Sequence, residues 1–364
     1  MLTAAAQHPL NTIAPYYTMF RPEFPLSALS QARGWVLDPF CGRGTTNFAA
    51  RVLGLPSVGV DLSPVAVAIA SAKMVDADPK DVTALVQRLV DRCPGRVPEG
   101  EFWDLAFERR TLRQVCAIRE GLLETKPDDP AAAILRAVML GALHGPRGRH
   151  LQSYLSNQMP RTYATKPAAA VRYWQRNNLR PAYVPVAEVV QRRTARALQS
   201  PLPEVEGRIV CGDSRSLALP EHVGPIRHVV TSPPYYGMRS YVTDQWLRHW
   251  FLGGPEEPDY AANRQIDIST PDAYAADLAR VWRRVAAYAA PRCHMVIRFG
   301  AIPSARCDPD SLVVRSLALS ESGWVVTQVA SAGAANLGKR QACQFGCVRS
   351  RPIEEVDVYA VLGG

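Results

Sequence analysis

The chain has 364 residues, 47% of them hydrophobic, and a formal net charge of +9. That length suits one large domain with an insertion, or two domains, and no run of apolar residues is long enough to predict a membrane-spanning helix. Met1 to Gln7 is too short for a signal peptide's apolar core, and eight scattered cysteines without a C-x-x-C pair indicate neither a disulfide framework nor a metal site. A cytoplasmic protein is expected.

In chain order, His8-Pro9 and Ala14-Pro15-Tyr16-Tyr17-Thr18-Met19-Phe20 make an aromatic, proline-punctuated approach to the first strand. Gly34 to Asp38 reads as that strand, Pro39 to Thr46 as a glycine turn, and Asn47 to Leu53 as a helix stopped by Gly54. Gly42 and Gly44 lack Cβ atoms, so a cofactor can lie against their backbone, while the free N–H groups of the new helix point at an anionic group. Asp38 puts a negative charge where a cationic cofactor group would sit. A second strand, Ser57 to Asp61, ends on an acid placed to bond ribose hydroxyls. Ser63 as cap and Pro64 in the first turn then start a helix through Lys73.

From Asp81 to Leu143 the pattern is helical with nearly balanced charge, broken at Pro94, Pro98 and Pro127. Between Gly141 and Ser200 stand nine arginines, Lys166 and a single acid, Glu188, so this segment accounts for the whole positive excess. Its basic residues interleave with aromatics and amides, as in Val171-Arg172-Tyr173-Trp174-Gln175-Arg176, which suits phosphate contact and base stacking. A solvated basic helix is the alternative.

Arg208 to Ser214 reads as a third strand. Ile226 to Val230 reads as a buried strand opening into Thr231-Ser232-Pro233-Pro234-Tyr235-Tyr236. The prolines have no N–H to donate and fix φ, so their carbonyls are rigid acceptors between a hydroxyl and an aromatic face, a setting that suits a planar base with an exocyclic amine. Beyond it come a helix over Asp244 to Leu252, another over Pro271 to Ala290, a strand over His294 to Phe299, and two closing strands over Trp324 to Val329 and Glu355 to Leu362. Lys339 and Arg340, in the loop between the last two, are within reach of a nucleic-acid backbone.

D-P-F-C-G-R-G-T-T at 38–46 followed by T-S-P-P-Y at 231–235 resembles the S-adenosylmethionine-dependent amino-methyltransferases of DNA, and the segment from His8 to Phe20 resembles the leader they place over the cofactor's methionine end. The resemblance covers roughly residues 1–75 and 205–364. It implies an α/β, Rossmann-like class I methyltransferase fold with a mostly parallel sheet and a C-terminal antiparallel hairpin. Residues 1–75 and 206–364 would form the two parts of that domain, and residues 76–205 a helical and basic insertion, a candidate target-recognition region. Carried over position by position, the resemblance implies cofactor contacts at Asp38, Phe40, Gly42, Gly44, Thr45, Thr46, Asp61 and Leu62, with Asp213 on the adenine amine. Ser232, Pro233, Pro234 and Tyr235 become the catalytic set, and Arg161, Arg172, Arg176, Lys339 and Arg340 the nucleic-acid contacts. S-P-P-Y points to cytosine N4 in double-stranded DNA. Adenine N6, an RNA base, and a non-catalytic nucleic-acid-binding protein are the alternatives, and a prokaryotic or phage setting with a cognate restriction endonuclease is the expected context.

Overall fold

The computed structural model describes residues 8–16, 20–126, 128–146, 153–159, 166–237, 245–258, 266–300, 307–334 and 354–363. Residues Arg161, Lys339 and Arg340 lie outside these. After a 3-10 turn at Pro9–Thr12 come α1 (Glu23–Ala28), β1 (Trp35–Asp38), α2 (Thr45–Val52), β2 (Ser57–Asp61) and α3 (Pro64–Ser71). Six helices follow: α4 (Pro79–Val90), α5 (Glu101–Ala106), α6 (Arg109–Glu124), α7 (Pro130–Ala142), α8 (Pro167–Arg176) and α9 (Val186–Ala197). The chain then gives β3 (Gly207–Cys211), β4 (Ile226–Thr231), α10 (Trp246–Phe251), α11 (Pro271–Ala286), β5 (Ala289–Gly300), α12 (Pro309–Leu319), β6 (Trp324–Ala334) and β7 (Glu354–Leu362).

One seven-stranded sheet, ordered β3-β2-β1-β4-β5-β7-β6, carries these elements. The first five strands are mutually parallel, and β7 pairs antiparallel with both β5 and β6. From β1 the chain builds outward through β2 to β3, then returns to β1's other edge as β4, so the strand order reverses between β1 and β4. In open α/β sheets that reversal leaves a crevice outside the carboxyl ends of the two strands. This is the class I methyltransferase fold.

Side chains alternate across the sheet with the strand period of two. Leu37, Val229, Met295, Ile297 and Val358 join Tyr274, Leu278, Trp282, Leu312 and Val313 of α11 and α12 in one core. Val36, Val230 and Val296 turn the other way, onto Phe24 and Ala50 of α1 and α2. A third core joins Phe48, Val65 and Ile69 of α2 and α3 to the helices of the insertion and to Trp246 and Trp250 of α10. Trp174, the aromatic expected to stack on bases, belongs to this core: it is wholly buried and its indole N–H donates to the Gln158 carbonyl. The apolar face of α8, Ala170, Val171 and Trp174, takes it inward.

Two boundaries differ from expectation. The helix over 271–290 stops at Ala286, and β5 starts at Ala289, because Pro291 cannot continue a helix and Arg292 takes a left-handed φ of 60°. The excursion appears as a register shift between β4 and β5. The closing hairpin is also longer, with β6 running on to Ala334.

Gly44 is needed for packing, a different reason from the cofactor clearance the sequence suggests. With φ +74°, a Cβ there would stand 2.8 Å from the Ala70 Cβ and 3.1 Å from its Cα, so the missing side chain is what lets α3 close on α2. Gly44→Ala should therefore destabilise the protein by about 1–3 kcal/mol. It should cost clearly more than Gly54→Ala, a glycine of similar φ with open space around it. Chemical denaturation of the two variants checks this, and equal losses would remove the packing role.

Candidate active site

Asp38 ends β1 with no exposed surface. Its Oδ1 accepts the Phe40 amide at 3.0 Å and the Thr231 hydroxyl at 2.6 Å. Its Oδ2 has no partner, since the neighbouring Thr46 hydroxyl donates instead to the Val230 carbonyl at 3.1 Å. Burial pushes the carboxyl up to about 6, against the lowering effect of its hydrogen bonds.

The turn that follows is held by its own backbone. Gly44 N–H donates to the Cys41 carbonyl at 2.7 Å and Cys41 N–H to the Val60 carbonyl at 3.0 Å. Asp61 ties this turn to β2: its Oδ2 accepts Gly42 N–H at 2.9 Å and its Oδ1 accepts Ser63 N–H at 2.8 Å. Burial raises the Asp61 carboxyl, and those two amides oppose the rise. A Cβ at Gly42 would meet only Tyr16 Cε1, at 4.0 Å, so this glycine presents open backbone. Leu62, beside Asp61, is 38% exposed and offers an apolar surface at the same edge.

The leader crosses this turn. Tyr16 lies against Asp61, with the Ser63 hydroxyl at its phenol, and burial pushes that phenol well up. Arg248 of α10 donates to the Pro15 carbonyl at 2.7 Å, and the buried Lys73 amine donates to the Asn11 side-chain oxygen at 2.9 Å. The leader's closeness to the turn was legible from the aromatic run; Tyr16 itself had no assigned role.

The second motif leaves the neighbouring strand. Thr231 ends β4 buried, Pro233 is buried, and Ser232 and Tyr235 are part-exposed. The Pro234 carbonyl accepts the Tyr274 hydroxyl of α11, whereas the Pro233 carbonyl accepts no hydrogen bond from the described residues. The Tyr235 hydroxyl donates to Glu355 Oε1 on β7, the Ser232 hydroxyl also bonds it, and the ring meets Phe299 edge-on at 5.7 Å. Burial, then the charge of Glu355, drives the Tyr235 phenol well above its ordinary range, and burial raises the Glu355 carboxyl. Glu355 has no signal in the sequence: it lies 120 positions from Tyr235.

The remaining candidates are placed as follows. Thr45 and Thr46 open α2 and are buried. The Phe40 ring meets Trp282 edge-on at 6.2 Å. Asp213 follows β3, but Arg215 occupies both its oxygens at 2.7–3.1 Å and bridges on to Asp277 at 2.8 Å. That pairing lowers the Asp213 carboxyl and uses most of its accepting capacity, so an adenine amine would have to share it. Arg172 and Arg176 are exposed one turn apart on α8.

One family model, that of the N6/N4 DNA methylases, matches residues 22–72, which run from α1 to the end of α3. The match supports an amino-methyltransferase family. No curated protein sequence matches the chain. Among solved structures, TrmN from Thermus thermophilus is 12% identical with a TM-score of 0.36, covering 98% of this chain and 53% of that one. The chain thus spans about half of that protein's length. The rRNA methyltransferase aviRa from Streptomyces viridochromogenes is 13% identical with a TM-score of 0.35, covering 99% of this chain and 92% of its own. Magnesium protoporphyrin IX methyltransferase from Synechocystis, a structure with bound SAM, is 9% identical with a TM-score of 0.33, covering 99% and 81%.

The residues fit S-adenosylmethionine. Asp61 stands where ribose hydroxyls would be bonded, Gly42 leaves room, and Asp38 has a buried oxygen free for a cationic group.

Asp38 gives this fit a pH signature. Because its folded-state value is about 6 against an ordinary 3.8, the folded protein holds the proton more tightly, so this group's stability is complete below 3.8 and lost as pH rises through 6. Ionised Asp38 costs the ligand-free protein on the order of 3 kcal/mol at neutral pH. Asp38→Asn should raise Tm at pH 7 yet weaken S-adenosylmethionine binding. In the parent, binding should tighten between pH 5 and pH 7; in the variant it should be flat. Titration calorimetry across that range checks this, and a pH-independent parent would contradict it.

Proposed function

We propose that the chain transfers a methyl group from S-adenosylmethionine to the exocyclic N4 amine of cytosine in double-stranded DNA. The observation that carries this reading is the Thr231–Asp38 hydrogen bond, which joins the S-P-P-Y segment to the glycine turn at the sheet's point of reversal. The DNA methylase match over 22–72 supports the same reading.

Bound S-adenosylmethionine would supply an electrophilic methyl group on a sulfonium. This chain's residues would do the rest. Asp61 would hold the ribose, with Leu62 and Phe40 as apolar surfaces, while Asp38 would balance positive charge. A duplex hides its amines from a pocket, so the target base would be flipped out and laid against the Tyr235 ring. With its hydroxyl tied to Glu355 and its edge to Phe299, that ring is fixed in direction before a base arrives. The Ser232 hydroxyl and the Pro233 carbonyl would accept the amine's hydrogens and aim its lone pair at the methyl carbon. A planar base amine needs no prior deprotonation; its proton leaves once the N–C bond has formed. Serine at 232 is neutral and small, which favours cytosine over adenine.

DNA would be held along the basic segment. Arg172 and Arg176 present two unpaired charges on one face of α8, and residues 76–205 are the assigned target-recognition region. A cognate restriction endonuclease would be the partner such an enzyme protects DNA against.

Nucleoside mass spectrometry of duplex DNA incubated with the protein and S-adenosylmethionine tests the proposal. N4-methylcytosine without N6-methyladenine is expected. N6-methyladenine as the only product would overturn the cytosine assignment and leave the amino-methyltransferase reading standing, and product only on RNA would overturn the DNA assignment.

A further inference from the structure

We propose that Arg43, between the two glycines of the turn, binds the α-carboxylate of the cofactor's amino-acid end. This rests on the S-adenosylmethionine reading above.

Arg43 is only 6% exposed, its Nε is buried without a partner, and its guanidinium makes no hydrogen bond or ion pair with the described residues. A guanidinium carries five donors and does not give up its charge, so burying one unpaired is costly and such groups are ordinarily matched to an anion. Arg51, in the same α2 region and 1% exposed, shows the usual solution: it donates to the carbonyls of Lys73, Val75 and Pro203 and pairs with Asp76. Arg298 likewise pairs with Asp357 at 2.7–2.8 Å. Arg43 has no such arrangement, and burial alone pushes it down to about 10.

A second buried cation sharpens the imbalance. Lys73 has no exposed surface, its ammonium is bonded to the neutral Asn11 amide oxygen, and burial followed by the charge of Arg43 holds it well below its ordinary range. Two cations therefore feel each other beneath the turn, and neither is paired with a carboxylate among the described residues. The first N–H groups of α2, which begins at Thr45, add to the positive field.

S-adenosylmethionine carries one anionic group, the carboxylate. Its hydroxyls and cationic groups are matched by Asp61 and Asp38, which leaves the carboxylate for the one cation in the turn that lacks a partner. Arginine's planar fork suits it, accepting both oxygens at once. A nucleic-acid phosphate fits less well, because it stays on a solvated backbone and Arg43 is nine-tenths buried.

Titration calorimetry with S-adenosylmethionine and with its decarboxylated form, on the parent and on Arg43→Met, tests this. The parent should prefer the carboxylated ligand by on the order of tenfold or more. Arg43→Met should lose that preference by weakening S-adenosylmethionine alone, and Arg43→Lys should recover part of it. Without ligand, Arg43→Met should melt no lower than the parent, since it removes an unpaired buried charge. Equal weakening of both ligands, an intact preference, or a lower Tm in the ligand-free variant would overturn the inference while the cofactor reading stands. A parent that binds neither ligand would overturn both.

Discussion

The hydrogen bond from Thr231 to Asp38 is the constraint on which the rest of the site depends. It is buried, 2.6 Å long, and joins the last residues of two adjacent parallel strands whose following loops carry all the recognisable chemistry. Because β1 and β4 lie side by side only where the strand order reverses, chain segments nearly two hundred residues apart meet there. Each then takes its direction from a further contact: the glycine turn from Asp61 on β2, and the S-P-P-Y loop from Tyr274 on α11 and Glu355 on β7. The antiparallel β7 thus closes the sheet and also reaches back to hold the aromatic ring of the motif.

Electrostatics at this junction oppose folding and favour binding. Asp38 is an acid raised by burial, while Arg43 and Lys73 are cations lowered by it. Each is more costly in the ligand-free protein than an uncharged residue of similar shape would be, and each is matched by a group on a ligand that is itself an anion, a cation and a set of hydroxyls. Strongly perturbed groups converging in one crevice mark functional sites more often than structural ones. The insertion helices provide the compensation: their apolar faces share one core with α2, α3 and α10, and that core anchors the leader over the turn.

Much of this was legible in the sequence because it is local. The strand Ser57–Asp61, the Ser63 cap and the glycine turn each follow from neighbouring residues, and the closing antiparallel pair follows from two apolar runs. What was not legible depends on residues far apart. The tie between Tyr235 and Glu355 spans the second half of the domain, and the need for glycine at 44 comes from Ala70 on another helix. Trp174 looks like a stacking aromatic among arginines, yet the helical period carries it into the core and leaves Arg172 and Arg176 outside. Arg43 sat in plain view within the motif, but only burial without a partner distinguishes it from an ordinary surface arginine.

Hydrogen–deuterium exchange with and without S-adenosylmethionine tests most directly whether the two motifs form one site. Protection is predicted together in peptides covering 38–46, 61–63 and 231–237 and in the leader near Tyr16, with little change in α4 and α6. Protection of the glycine turn alone, with the S-P-P-Y peptide unaffected, would contradict the account.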